Sequence, residues 1–278
     1  MPVETTTEQQ ALYPDSIWEA PTPPTDLIFD DGEPLETNRH RIAMNVLIDS
    51  ALSALADRTD FFCGGNMFVY YSRSQAMNRD FRGPDFFVAL EVDGSRERQG
   101  WVVWEEEGRY PDVIVELMSP STAHVDKTVK KTLYERTFHT SDYYVYNPFA
   151  PESLEGWHLD AKQRYQPLVA NERGWLWCES LGLWLGTWSG SIRREPPTGA
   201  CHWLRFYDRQ ENLVLLQEEV ADQERQKADQ ERQKADQERQ RADQERQRAD
   251  QERQKADQER QRAERLAARL RDLGEDVS

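Results

Sequence analysis

The chain has 278 residues, 31% of them charged, and 51 acids against 35 bases give a formal charge of −16. Such a surface repels phosphates on average, so any nucleic-acid chemistry must be local or metal-assisted. No run approaches the roughly 20 apolar residues of a membrane span, the opening MPVETTTEQQ is not a signal peptide, and Cys63, Cys178 and Cys201 read as scattered reduced thiols; a cytoplasmic protein is expected.

Residues 1–26 carry five prolines among threonines and acids and read as a flexible lead-in. A folded domain is expected over residues 27–216. Ile42, Val46, Leu47, Ala51, Leu52 and Leu55 recur at helical spacing, which predicts a helix over 38–56. After Gly64-Gly65, read as a turn, short β-branched or aromatic runs predict strands at 67–71, 85–92, 101–105, 113–118 and 142–146. A helix capped by Ser121 or Thr122 is expected over 123–138. Further strands are expected at 156–159, 164–168, 175–178 and 203–207, and the tryptophan-rich run from Trp175 to Trp188 reads as core rather than as a stacking platform. This order is that of an α+β, or mixed α/β, sheet and not of a regular βαβ array.

Two Pro-Asp pairs open apolar strands: Pro84-Asp85 before FFVAL and Pro111-Asp112 before VIVELM. Period two places Asp112, Ile114 and Glu116 on one face of the second strand. A glutamate inside such a run is costly as an anion unless a cation compensates it. If the two strands are antiparallel neighbours, Asp85 approaches Glu116, while Asp112 lies about 13 Å from Glu116 along its strand and reads as a cap. Asp126, Lys130 and Tyr134 then line one face of the following helix, which can fold back over the acids. Two acids for a hard divalent ion plus a lysine near a water form a phosphodiester-cleaving set. Tyr134 reads as packing beneath it.

The runs GGNMFVYYS, GPDFFVAL and PDVIVELMSPST, then Asp126, Lys130 and Tyr134 at intervals of four, then DYYVYNP, resemble the Uma-type restriction-endonuclease family of the PD-(D/E)xK nuclease superfamily. The resemblance covers about residues 27–216 and implies a restriction-endonuclease-like central sheet flanked by helices. It also implies DNA cleavage dependent on Mg²⁺, or on Mn²⁺ in its place. Carried over by position, Asp85 is the first metal-binding acid and Glu116 the second. Met118 stands where E-x-K would place lysine, so the resemblance points to Lys130 on the next helix, with Lys127 and Lys131 as substitutes and Glu36 as a candidate additional acid. Arg73, Arg79 and Arg82 with the three lysines could form a basic rim for the phosphates.

From Ala221 to Arg262 six heptads of A-D-Q-E-R-Q-(K/R) follow, each with two acids and two bases. They predict a helix over 217–273, about 85 Å long, laced by i+3 and i+4 ion pairs, before a tail at 274–278. With alanine at position a, position d is glutamate, so a coiled coil is poorly driven. A solvated single helix is expected, and a homodimer joined at the leucine-bearing ends is the alternative. The functional expectation is a Mg²⁺-dependent DNA endonuclease using Asp85, Glu116 and Lys130. Its rival is an inactive nuclease fold that serves as a scaffold through the long helix.

Overall fold

A computed structural model describes residue 27, residues 37–78 and residues 83–272. The lead-in at 1–26, Glu36, Arg79, Arg82 and the tail at 274–278 lie outside the described residues. Two compact units divide the chain, one ending at Val214 and the other beginning at Leu215.

The first unit is built on a mixed sheet. Helix α1 (Asn38–Ala54) is capped by Thr37, whose hydroxyl accepts the His40 N–H, and it buries Ile42, Ala43, Val46, Leu47 and Ala51. Strand β1 (Phe61–Gly64), β2 (Val69–Tyr70), helix α2 (Arg73–Met77), β3 (Phe86–Leu90), β4 (Trp101–Val102) and β5 (Val113–Leu117) follow. Helix α3 occupies residues 123–138. Then come β6 (Asp142–Asn147), β7 (Ala150–Leu159), β8 (Tyr165–Pro167), β9 (Leu176–Cys178), β10 (Leu183–Gly190) and β11 (Cys201–Tyr207).

The central sheet has six strands in the order β1-β3-β5-β6-β7-β8, with β5 and β6 parallel and every other pair antiparallel. β9, β10 and β11 form a separate antiparallel sheet, and β2 pairs with β4 in parallel. The fold is therefore mixed α+β, as the sequence indicates. On one face of the central sheet, Phe87, Ala89, Ile114, Tyr143 and Val145 join Tyr134 and Phe138 of α3 in a single core. On the other, α1 packs against β3 and β5, and Phe86 meets Phe206 of β11.

Three elements escape the sequence reading. β1 and α2 are too short, at four and five residues, to show a period. β10 is interrupted by Gly186 and ends at Gly190, and both positions are required by close tryptophans: a Cβ at either would overlap Trp175 or Trp188. Trp175 itself stacks on Tyr207 at 3.8 Å, so this part of the aromatic run is packing.

Helix α3 is the irregular element. Its α-helical turns, Ala123–Val125 and Lys131–Leu133, alternate with π turns, Asp126–Lys130 and Tyr134–Phe138. The Lys131 N–H bonds back five residues to the Asp126 carbonyl, which also accepts the buried Tyr143 hydroxyl at 2.8 Å. π turns occur mostly as single insertions, frequently at functional sites.

The second unit is helix α4 (Gln217–Asp272). From Ala221 to Leu266 its side chains are exposed, and ion pairs such as Asp222–Arg225 at 3.7 Å and Asp257–Arg260 at 3.5 Å decorate it. Among the described residues no helix is long and apolar enough to cross a membrane.

Candidate active site

The β3–β5 pairing places the two Pro-Asp motifs at opposite ends of one antiparallel ladder, with Phe86 opposite Val115 and Val88 opposite Val113. Each aspartate closes the end of its neighbour. Asp85 Oδ2 accepts the Leu117 N–H at 2.7 Å, and Asp112 Oδ2 accepts the Leu90 N–H at 2.7 Å. Asp85 therefore lies across from Glu116, and Asp112 caps the far end. Gly65 holds Asp85 from the side: a Cβ there would overlap the Asp85 carbonyl, so only glycine lets the β1–β2 turn pass this close.

Glu116 is fully buried in mid-strand on the α3 face. Both of its oxygens are used: Oε1 accepts the Tyr134 hydroxyl at 2.8 Å and Oε2 accepts the Lys130 ammonium at 2.9 Å. Lys130 is also 3.0 Å from Asp126 Oδ1. Two carboxylates thus hold one ammonium, and Asp85 acts on it electrostatically. Burial drives the Glu116 carboxyl up to about 8, and Asp85 and Asp126 add to the effect while Lys130 opposes it. Burial also raises Asp85, against the pull of Lys130, of the Leu117 N–H and of a hydrogen bond with the Glu116 carboxyl. Burial works against the Lys130 ammonium, but Glu116, Asp126 and Asp85 together hold it above its ordinary value. Lys130 is thereby kept charged.

The family model for Uma2, described as "Putative restriction endonuclease", matches residues 7–189. The chain belongs to this family. A solved structure described as "a putative nuclease belonging to DUF820", from Anabaena variabilis, is 13% identical, with a TM-score of 0.38 over 58% of this chain and 86% of that one. No curated protein matches.

Within this Uma2 chain, the candidate lysines separate clearly. Lys127 pairs with Glu155 at 2.6 Å, and Lys131 lies 3.9 Å above the Trp157 ring. Only Lys130 reaches Glu116. Met118, where E-x-K would have lysine, is buried in the core beside Tyr134 and Phe138, and its carbonyl accepts His40 Nε2 at 3.3 Å. Of the residues expected to form a basic rim, Lys127 and Lys131 are engaged, Arg73 is exposed, and Arg79 and Arg82 lie outside the described residues.

Two contributors were incompletely read from the sequence. Tyr134 packs beneath the site as expected, but its hydroxyl also binds Glu116. Asp126 was visible only as a member of a helix face, and its buried carboxylate against Lys130 is the feature that spacing alone could have flagged. Among the described residues no group of three or more His, Cys, Asp and Glu side chains is arranged to hold a metal ion. Asp85 and Glu116 are the two acids that face each other across the β3–β5 ladder, with Asp126 beside them on Lys130. Their chemistry suits a hard divalent ion, and the excess of buried negative charge over a single lysine is what such an ion would relieve.

Proposed function

We propose that this Uma2 protein is a Mg²⁺-dependent DNA endonuclease of the PD-(D/E)xK type. The observation that supports it is the convergence of Asp85 and Glu116 at one end of the β3–β5 ladder, with the Lys130 ammonium on Glu116. Asp85 and Glu116 would hold Mg²⁺, or Mn²⁺ in its place, which supplies Lewis acidity toward a phosphoryl oxygen and lowers the pKa of water. Lys130, kept protonated by its carboxylates, acts as a donor that offsets charge on the phosphoryl group or orients the attacking water, not as a general base. Tyr134 fixes one Glu116 oxygen and closes the floor of the site to solvent.

The test is nicking of supercoiled plasmid. Wild type cuts with Mg²⁺ and not with EDTA, Asp85→Asn abolishes cutting, and Asp112→Asn, which disturbs the equivalent cap at the other end of the ladder, costs about 1 kcal/mol of stability and leaves cutting intact. Equal activity of Asp85→Asn and wild type would remove the assignment.

One observation favours a second reading, a nuclease fold retained for binding: two of the lysines that could have gripped phosphates are engaged elsewhere. A calorimetric Mg²⁺ titration without a saturable site would favour that reading. For α4 we propose a free-standing helical spacer, about 84 Å long at 1.5 Å per residue over its 56 residues. A parallel pair would bring Glu224, Glu231 and their repeats face to face. Sedimentation equilibrium of the full chain is expected to give a monomer across the micromolar range, and a helix-dependent dimer would overturn the spacer.

A further inference from the structure

Among the described residues, Asp126 is a buried carboxylate with an oxygen that lacks an aligned hydrogen bond. Its side chain is only 2% exposed, and its Oδ1 makes no aligned hydrogen bond although the Lys130 ammonium is 3.0 Å away. A buried carboxylate in such a position is costly and calls for an explanation. The same ammonium already donates a well-formed bond to Glu116 at 2.9 Å. Asp126 is held where it is from the backbone side, because the Tyr143 hydroxyl of β6 bonds its carbonyl at the head of the π turn.

We propose that Asp126 is a positioning residue that retains the Lys130 ammonium when Glu116 is committed to a divalent ion. The proposal rests on the metal-binding reading of Asp85 and Glu116. A lysine ammonium carries three N–H donors. In the metal-free protein one is spent on Glu116, and Asp126 sits beside it in a geometry just short of a second bond. Once the Glu116 oxygens turn to a cation, the attraction between Lys130 and Glu116 weakens and the two positive charges repel. A lysine without another anchor would swing to solvent, since 21% of its side chain is already exposed. Asp126 offers the alternative partner within a small rotation, keeps the ammonium beside the cation, and leaves a donor for a phosphoryl oxygen or water. The i, i+4 spacing puts both residues on one face of α3.

The readout is a double-mutant cycle between Asp126→Asn and Lys130→Met, measured by urea unfolding of the full chain with and without Mg²⁺. The coupling between the two side chains, expressed as a ratio of unfolding constants, is expected to rise about threefold or more when Mg²⁺ is added. Coupling that is unchanged or reduced by Mg²⁺ overturns the proposal. In plasmid cleavage, Asp126→Asn is expected to lower kcat about 10- to 100-fold with KM little changed, to add nothing to Lys130→Met, and to be partly restored by Asp126→Glu, which keeps the charge. A rise in coupling without any cleavage by wild type would leave Asp126 in this role and remove the nuclease reading. Cleavage by wild type with flat coupling would do the reverse. If Asp126→Asn does not fold, Asp126→Ser in the same cycle decides the matter.

Discussion

Glu116→Gln is expected to abolish Mg²⁺-dependent cleavage and, at pH 8 without metal, to make the protein more resistant to urea than wild type. The first effect follows from losing one of two anionic donors, and a loss of at least about 10³-fold is the scale for such a group. The second follows from linkage. Burial lifts the Glu116 carboxyl to about 8, well above its value in an unfolded chain. Between those two values the folded state binds more protons than the unfolded state, so stability falls as pH rises through this window. Glutamine carries no proton to lose, and the variant escapes that fall. The comparison is urea unfolding of both proteins from pH 5 to pH 8.5 in EDTA. Their difference should widen by a few kcal/mol toward the alkaline end, and Mg²⁺ should narrow it by taking the place of the proton. Parallel pH profiles for the two proteins would mean that Glu116 titrates as an ordinary carboxylate, and the charge-excess account of the site would fail.

Lys130→Met is expected to act in opposite directions on activity and on metal affinity. Removing the ammonium leaves Glu116 and Asp126 without their cation, and breaking a buried pair in this way costs about 3–5 kcal/mol. The lower end applies, because the lysine is partly exposed and Glu116 can take up a proton instead. For a unit of this size, that corresponds to a melting temperature lower by about 6–12 °C. Cleavage assayed well below that temperature should fall about 10²- to 10³-fold, the cost of losing one preorganised charge donor at a phosphoryl group. Yet Lys130 competes with a divalent ion for Glu116 Oε2, so Mn²⁺ binding measured by calorimetry should tighten in the variant. Lys130→Arg should not restore cleavage, because a planar guanidinium cannot occupy the cradle between two carboxylates as a compact ammonium does. Weaker Mn²⁺ binding in Lys130→Met would place the lysine in a purely structural role.

Part of this site could be read from the chain because strand periodicity is a local property. The Pro-Asp openings fix where β3 and β5 begin; alternation puts Asp112, Ile114 and Glu116 on one face, and position along the strand separates mid-strand Glu116 from terminal Asp112. The motif spacing also carried the family resemblance. The choice among Lys127, Lys130 and Lys131 was less secure from spacing, since consecutive helix positions point in different directions only once the helix is docked. The structure sends Lys127 to Glu155 and Lys131 to Trp157, and leaves Lys130 for Glu116. The role of Tyr134 as a donor was missed for a related reason: a tyrosine in a helical stripe looks the same whether its hydroxyl meets water or a buried carboxylate. The i, i+4 spacing of Asp126 and Lys130 is visible in the chain, but the burial of Asp126 comes only with the docking of α3.

By itself, the sequence determined the mixed α+β character, the place of Glu116 inside an apolar strand, and the long charged helix, because each depends on patterns within a few residues. The meeting of Asp85 and Glu116 is conditional in the sequence, and the antiparallel β3–β5 pairing meets the condition. Only the tertiary structure decided which lysine faces the acids, that a tyrosine hydroxyl closes the site from below, and that Glu116 and Asp126 share one ammonium. Those facts come from docking α3 across the sheet, where burial fixes which groups lose water and must find one another.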